Sequence, residues 1–265
     1  MNNSYLTANY HSHTFRCHHA EGTEREYVEH AIDAGIKILG FSDHAPLLFS
    51  RYPGHKSGIR MQMSELDDYC RVINSLKDEY KSQIEIHLGL ELEYTFHDFK
   101  EQIAIYRDAG IEYVILGQHF LGDEPEGIYN GRPTRSSEQL HRYVNQCIEG
   151  MSTGVYTYIA HPDIINYSGD DDLYASEMDR LCKAALEYDI PLEINLLGLY
   201  YVKQYPCERF FRLAAQNGNK TIFGVDAHMP EFYDNKDVLK SGRRFAESLG
   251  LHVIDTVPLK NLSDY

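Results

Sequence analysis

Residues 5–13 read Y-L-T-A-N-Y-H-S-H, a short strand-like run that ends on two histidines separated by one serine. Side chains alternate between the two faces of a strand, so His11 and His13 point to the same side with Cα atoms about 7 Å apart. Two imidazoles at that spacing can share one metal ion. A single H-x-H is more often a surface or packing feature, so its meaning depends on the rest of the chain.

The combination of a short apolar run and a polar end recurs along the chain. We predict seven buried strands, each followed after a loop by a stretch with helical spacing. The predicted strands are 5–10, 38–42, 84–93, 113–118, 155–160, 191–197 and 221–226. The predicted helices are 24–34, 63–80, 97–109, 135–149, 172–188, 205–217 and 235–249. Strict alternation of this kind predicts a parallel sheet with helices outside it, either open or closed into a barrel.

Ligand-type side chains stand at the ends of six of the seven predicted strands. In chain order the ends read N-Y-H-S-H, F-S-D-H-A, G-L-E-L-E, G-Q-H-F, I-A-H-P-D, E-I-N-L-L-G and G-V-D-A-H-M-P. The carboxyl ends of the strands of a parallel barrel converge on one face, where active sites on such folds are built. No glycine-rich nucleotide-binding signature stands at these junctions. We therefore predict an α/β barrel with a metal centre at this face.

The candidate metal ligands all lie at or just after these strand ends. They are His11, His13, His19, His44, Glu91, His119, His161, Asp226 and His228. Nine nitrogen and oxygen ligands are too many for one four-coordinate zinc ion, and they suit two or three metal ions. We favour His19 as a ligand, and its neighbour His18 is the alternative. A carboxylate such as Glu91 can bridge two cations.

Composition excludes several classes of protein. The 265 residues are 43% hydrophobic and 25% charged, which is ordinary for a globular chain, and α/β barrels of this length are often one domain. No apolar run approaches the roughly 18 residues of a membrane span, and the N-terminus lacks a secretory pattern. Five scattered cysteines without C-x-x-C predict free thiols. We expect a cytoplasmic protein with no membrane contact.

The charge balance is acidic, since 25 Lys and Arg against 40 Asp and Glu give −15. This argues against nucleic acid as a partner, which needs a basic surface. It does not exclude an anionic substrate, because three divalent cations beside two carboxylates would make the local charge about +4.

The order and spacing of these motifs resemble the PHP (polymerase and histidinol phosphatase) superfamily of metal-dependent phosphoesterases. The resemblance runs from His11 to about Pro230. Its motifs are H-S-H at 11–13, S-D-H at 42–44, G-L-E at 89–91, G-Q-H at 117–119, A-H-P at 160–162 and D-A-H at 226–228. The segments 63–69, 84–94 and 193–195 with Gly198 resemble its histidinol-phosphatase branch most.

The resemblance implies a distorted seven-stranded, TIM-like (β/α) barrel, with residues 1–265 forming a single domain. It also implies a trinuclear centre of zinc, iron or manganese, although two ions remain an alternative. By that pattern the first metal binds His11, His13, Glu91 and Asp226; Glu91 bridges to a second metal held by His119 and His161; and the third binds His19, His44 and His228.

The implied activity is hydrolysis of a small phosphomonoester, with L-histidinol phosphate as the leading candidate and histidine biosynthesis as the pathway. A metal-bridging hydroxide would attack phosphorus. Glu91 and Asp226 would be the catalytic carboxylates, Asp226 steering the hydroxide or handling its proton. We expect a monomer or a homodimer.

The sequence departs from the branch where a phosphate-binding basic residue is expected. Tyr200 stands where we look for arginine after the sixth strand, and no arginine follows A-H-P-D at 160–163 until Arg180. Candidate substrate contacts are therefore Arg16, His55, Arg60, Arg132, Arg135, Asn195 and Tyr200. The departure keeps open another substrate, such as a nucleotide, a phosphodiester or phosphotyrosine. A non-catalytic metal-binding module is disfavoured because the ligand set is full.

Overall fold

A curled parallel sheet of eight strands forms the centre of the structure, a computed structural model that describes residues 6–265. The strands are β1 (Ala8–Asn9), β2 (Ile38–Phe41), β3 (Glu85–Leu92), β4 (Tyr113–Leu116), β5 (Phe120–Leu121), β6 (Ile128–Tyr129), β7 (Tyr156–Ile159), β8 (Leu192–Asn195), β9 (Lys220–Gly224) and β10 (His252–Ile254). Their order in the sheet is β1-β2-β3-β4-β7-β8-β9-β10, and β5 and β6 form a separate antiparallel hairpin.

All seven predicted strands are present, but the predicted number of strands in the sheet is wrong. The eighth, β10, pairs parallel to β9; it has three residues and no strand-like run long enough to predict it. The predicted first strand began at Tyr5, which lies outside the described residues.

Helices follow the strands as predicted. They are α1 (Glu24–Asp33), α2 (Leu66–Tyr80), α3 (Phe99–Asp108), α4 (Ser137–Ser152), α5 (Asp171–Glu187), α6 (Leu196–Tyr200), α7 (Glu208–Asn217) and α8 (Lys236–Leu249). The amphipathic spacing of α2 shows why they pack: Leu66, Tyr69, Ile73 and Leu76, three or four residues apart, are all buried.

The short helix α6 was not predicted. Residues 196 and 197 were assigned to the preceding strand because the apolar run continues through them. The side chain of Asn195 ends that strand, since its Oδ1 accepts a hydrogen bond from the Gly198 N–H (2.8 Å) and caps the helix.

The curl brings the first strand to the chain that follows β9. The Asp226 N–H donates to the His11 carbonyl, and the His13 N–H donates to the Ala227 carbonyl (both 2.9 Å). Asn9 adds a side-chain link, because its Oδ1 accepts from the Val225 N–H (2.8 Å). The carboxyl ends of β1 and β9 are thereby held side by side.

Two hydrophobic clusters fill the two sides of the sheet. The larger lies between the sheet and the helices, and the smaller includes Tyr10, Tyr113, Tyr158 and Val257. Val257 comes from the segment after β10, so the C-terminal tail helps to fill this smaller cluster. Within residues 6–265 no helix is both long and apolar enough to cross a membrane, and all five cysteines are free.

Candidate metal centre

The two histidines of the H-S-H motif face a carboxylate from the opposite end of the chain. His11 Nε2 and His13 Nε2 are 3.0 Å apart. Asp226 Oδ1 lies 3.3 Å from the first and 3.0 Å from the second. The hydrogen bonds between the two strand ends set this geometry, so it follows directly from the curl of the sheet.

Glu91 lies among imidazoles from several strand ends. Its Oε2 is 2.8 Å from His44 Nδ1, and its Oε1 is 2.8 Å from His161 Nε2 and 3.5 Å from His119 Nε2. Gly117, the residue that follows the neighbouring strand β4, leaves room for the carboxylate, since a Cβ there would stand 1.9 Å from Glu91 Oε1. The two carboxylate oxygens of Glu91 thus face different imidazoles, as in a carboxylate that bridges two metal ions.

A third group forms at the rim. His19 Nε2 and His228 Nε2 are 3.1 Å apart, and the ring of His44 stacks 5.3 Å from that of His19. His19 is oriented by a hydrogen bond of its Nδ1 with the Cys17 carbonyl (2.7 Å). His18 is exposed and takes a left-handed φ of 64° at the end of a 3-10 turn. The structure brings His19, and not His18, to the cluster.

Among residues 6–265, five groups of three side chains place ligand atoms within 4.8 Å of one another. They are His13–Cys17–His228, His19–His44–His228, His11–His161–Asp226, His11–His13–Glu91 and His44–Glu91–His119. All nine predicted ligands occur among them. The grouping of His19, His44 and His228 matches the expectation for the third ion, whereas His161 groups with His11 and Asp226. Cys17 is an additional neighbour that the sequence did not indicate.

The carboxylate of Glu91 and two of the imidazoles in the cluster have protonation states that suit cation binding. Burial would raise the pKa of Glu91, but the protonated imidazoles of His119 and His11, whose own pKa values are raised despite burial by the facing carboxylates, hold it well below its usual range. Burial and the nearby His228 lower the pKa of His13 to about 3, and burial lowers that of His44. The carboxylate is therefore ionised while these two imidazoles keep free lone pairs.

The donor set fits metal ions on a second ground. The buried atoms His13 Nδ1 and His161 Nδ1 have no hydrogen-bond partner among residues 6–265. An unsatisfied buried polar atom costs about 1–3 kcal/mol, and several such atoms in one cluster indicate that something else binds there. Nitrogen and carboxylate donors are the ligands that zinc, iron and manganese take.

Glu193, in the E-I-N segment at 193–195, is a functional candidate that was not among the predicted site residues. Its Oε1 is 2.7 Å from His11 Nδ1, and its Oε2 accepts from the His161 backbone N–H (2.9 Å). Gly224 on the neighbouring strand leaves space for it, since a Cβ there would lie 1.7 Å from Oε1. A glutamate inside an apolar strand, P-L-E-I-N, was the available signal.

Arg60 does not contact the cavity, contrary to expectation. It is fully buried, where its Nη2 donates to Glu93 Oε1 (2.8 Å) and its Nε donates to Glu124 Oε2 (2.6 Å). Glu93 Oε1 in turn lies 3.4 Å from His119 Nδ1. Arg60 thus supports the candidate ligand His119 through Glu93. Its guanidinium is engaged with two carboxylates and is not directed at the cavity.

Other expected substrate contacts also lie away from the cavity. Arg16 is buried and bonds Glu24 (2.5 Å) and Asp68 (2.8 Å). His55 faces Glu124 at 3.5 Å. Arg135 is exposed and does not line the cavity.

Asn195 and Tyr200, two further predicted substrate contacts, do not line the cavity either. Asn195 is buried and its amide is occupied, because Nδ2 donates to Glu193 Oε2 (2.9 Å) and Asp226 Oδ2 (3.0 Å). Tyr200 is exposed and its ring packs edge-on against Phe232.

An open cavity of about 590 Å³ adjoins the cluster. Seven of the predicted ligands line it: His19, His44, Glu91, His119, His161, Asp226 and His228. Its apolar wall is Ile59, Phe120, Tyr129, Ile164, Leu197, Tyr201 and Tyr205. Arg132, a predicted contact, and Lys203, which was not predicted, also line it. A small molecule with an anionic end and an apolar or aromatic body fits these surroundings.

The chain is similar to a known family and to several of its members. The family model of the PHP domain matches residues 9–196. A probable histidinol-phosphatase of Deinococcus radiodurans is 31% identical over 234 residues, covering 83% of this chain and 85% of that protein. The histidinol-phosphatase of Bacillus subtilis is 35% identical over 250 residues, covering 82% and 92% respectively.

A solved structure shares the fold. The histidinol phosphate phosphatase of Lactococcus lactis, complexed with zinc, L-histidinol and phosphate, superposes with a TM-score of 0.73 at 20% identity. The match covers 96% of this chain and 99% of that one.

Proposed function

Because this chain belongs to the PHP-domain family, we propose that it is a metal-dependent phosphatase that hydrolyses L-histidinol phosphate to L-histidinol and phosphate. The observation that carries this proposal is the set of seven His, Glu and Asp ligands lining one cavity in a chain more than 30% identical to two histidinol-phosphatases. The zinc and products bound by the Lactococcus enzyme support the same substrate.

We assign the nine predicted ligands to two or three divalent ions. His11, His13, Glu91 and Asp226 would hold the first; Glu91, His119 and His161 the second; and His19, His44 and His228 the third. Zinc is favoured by the Lactococcus structure, with iron and manganese as the alternatives. We further propose one cytoplasmic domain over 1–265, acting as a monomer or homodimer without nucleic acid.

When bound, such ions lower the pKa of water and neutralise phosphoryl oxygens. The chain's own carboxylates have separate tasks. Glu91 presents one oxygen to His44 and the other to His161, which holds two binding positions close together. Asp226 Oδ2 accepts from Asn195 Nδ2 (3.0 Å), so Oδ1 stays directed at His11 and His13 and can orient the attacking water.

The apolar wall acts on the rest of the substrate. Phe120, Tyr129 and Tyr205 offer aromatic surface beside the imidazoles of the cluster, and the ring of Tyr205 lies 5.6 Å from that of His161. The imidazole ring of the histidinol leaving group, which departs through its hydroxyl oxygen, can pack there and exclude water from the ester.

A second candidate keeps the metal centre and changes the ester. Tyr200 at the position where the branch has a basic residue favours testing other small phosphoesters, including nucleotides, phosphodiesters and phosphotyrosine. The same metal ligands would serve all of these reactions, so only a substrate comparison separates them.

The test is a phosphate-release assay after chelation and reconstitution. Protein treated with EDTA should lose activity toward histidinol phosphate and regain it with zinc, manganese or iron, while mass spectrometry counts the ions. His119→Ala should abolish turnover, whereas His252→Ala, an exposed histidine on β10, should not. Activity that survives chelation would rule out the metal mechanism, and hydrolysis of another ester alone would select the second candidate.

A further inference from the structure

Two cationic side chains line the cavity without a partner of their own. In the described part of the chain, residues 6–265, Arg132 and Lys203 are the only Lys or Arg residues that line it, and both are exposed. Within residues 6–265 neither side chain forms an ion pair or a hydrogen bond. In contrast, Arg16 and Arg60 are each held by two carboxylates.

The backbone that carries Arg132 is fixed to the strand ends of the site. The Asn130 N–H donates to the His119 carbonyl (2.7 Å), and the Asn130 side chain donates to the Gln118 carbonyl (2.9 Å). The Arg132 N–H then closes a turn on the Tyr129 carbonyl (3.1 Å). The backbone of Arg132 is therefore held by hydrogen bonds close to the candidate ligand His119.

Lys203 is positioned by the end of α6. The Val202 residue takes a left-handed φ of 51°, which is costly for a β-branched side chain that is itself 88% exposed. The Lys203 N–H donates to the Gly198 carbonyl (2.9 Å), which closes the helix. This backbone turn directs the chain, and with it Lys203, back to the cavity.

One loop after β7 ties both segments together. The Asn166 N–H donates to the Asn130 carbonyl (3.0 Å), two residues before Arg132. In the same loop, the Ile164 carbonyl accepts from the side chain of Gln204 (2.7 Å), one residue after Lys203. The backbone segments that carry Arg132 and Lys203 are thus both hydrogen-bonded to the same loop, residues 164–166.

We propose that Arg132 and Lys203 form the subsite that grips the phosphoryl group, replacing the basic residue that is absent at Tyr200. The inference rests on the proposed phosphatase function, since it assigns the charge recognition of that site. An unpaired guanidinium and ammonium at the mouth of a cavity can each make charge-assisted hydrogen bonds to phosphate oxygens. They also offset the two carboxylates, Glu91 and Asp226, that line the same cavity.

The experiment titrates inorganic phosphate into metal-loaded protein by calorimetry and measures KM and kcat in parallel. Arg132→Ala and Lys203→Ala should each weaken phosphate binding and raise KM by about tenfold, the effect of one exposed charged hydrogen bond. The value of kcat should change much less and the metal content should not change. Lys203→Arg should retain most of the affinity because it keeps the charge.

Arg142→Ala and Lys37→Ala are the matched controls, since both residues are exposed and neither lines the cavity. A double variant, Arg132→Ala with Lys203→Ala, that binds phosphate within twofold of the parent overturns the proposal. So does a metal-loaded parent that binds no phosphate. If the parent binds phosphate but does not hydrolyse histidinol phosphate, the proposed substrate fails, and loss of phosphate binding in the double variant still supports the subsite.

Discussion

At the scale of single residues, the candidate centre depends on two glycines as much as on its ligands. Gly117, directly after β4, and Gly224, the last residue of β9, each lie beside a buried glutamate and leave the volume that its carboxylate fills. Neither has a φ in the left-handed region, so the requirement is for space and not for backbone freedom. A methyl group at either position would occupy the place of a carboxylate oxygen.

Gly117→Ala should displace Glu91, because the new Cβ would stand 1.9 Å from Oε1. We expect loss of most bound metal and of activity, measured by mass spectrometry and phosphate release. Gly58→Ala is the control, since nothing lies within 4 Å of a Cβ there. Full metal content in Gly117→Ala would show that Glu91 is not a ligand.

Glu193→Gln should weaken metal binding by about tenfold to a hundredfold, the usual effect of losing a carboxylate behind a ligating histidine. The change keeps the shape but removes the charge that faces His11 Nδ1 at 2.7 Å. Competition with a chromophoric chelator measures the affinity. Glu187→Gln, on the exposed end of α5, should leave it unchanged, and equal affinities in the two variants would contradict the role.

The convergence of the nine candidate ligands on one site could be predicted from sequence, whereas the residues that support them could not. Strand ends converge by geometry, so motifs such as D-A-H at 226–228 predict a common site without knowledge of packing. Glu193 and Lys203 depend on contacts between distant segments, and only the structure brings those segments together. The same limit explains why Arg60 was misassigned: a buried arginine and an exposed one look alike in sequence.

At the scale of elements, the junction between β8 and α6 links folding to the site. Asn195 ends the strand and caps the helix through Oδ1, and its Nδ2 holds Glu193 and Asp226. The side-chain amide of Asn195 therefore both caps α6 and holds two carboxylates of the candidate metal centre. The apolar run through Leu196 and Leu197 hid this junction, since a short buried helix and a buried strand have the same composition.

Asn195→Ala should lower the free energy of unfolding by more than the roughly 1 kcal/mol of a lost cap, because two buried carboxylates lose a donor. Asn235→Ala is the comparison, as Asn235 only caps α8 through the Val238 N–H (3.1 Å). Urea denaturation measures both. We also expect weaker metal binding in Asn195→Ala but not in Asn235→Ala. Equal stability and equal metal affinity in the two variants would refute the double role of Asn195 as helix cap and as donor to the two carboxylates.

The short strands β5, β6 and β10 were beyond prediction for a related reason. The hairpin of β5 and β6 and the strand β10 are too short to show a period of hydrophobicity. They are stable only through neighbours, as β10 is through its parallel pairing with β9. Longer elements such as α2 and β3 carry enough periodicity to be found.

At the scale of the whole molecule, bound metal should contribute to stability. Ligands that bind only the folded state stabilise it, by about 2.7 kcal/mol at a hundred times the dissociation constant. We expect EDTA to lower Tm and added zinc or manganese to restore it, as followed by differential scanning fluorimetry. His119→Ala should respond less to metal than the parent, and an unchanged Tm after complete metal removal would refute the linkage.

The contact between the ends of β1 and β9 has a consequence for how the protein is made. His11 and His13 leave the ribosome more than two hundred residues before Asp226, whose Oδ1 lies 3.0 Å from His13 Nε2. A nascent chain therefore carries the two histidines without this carboxylate while the residues in between are made. Asp226 can join the two histidines only after β9 has docked, so we expect stable metal binding in the folded chain and not in the nascent one.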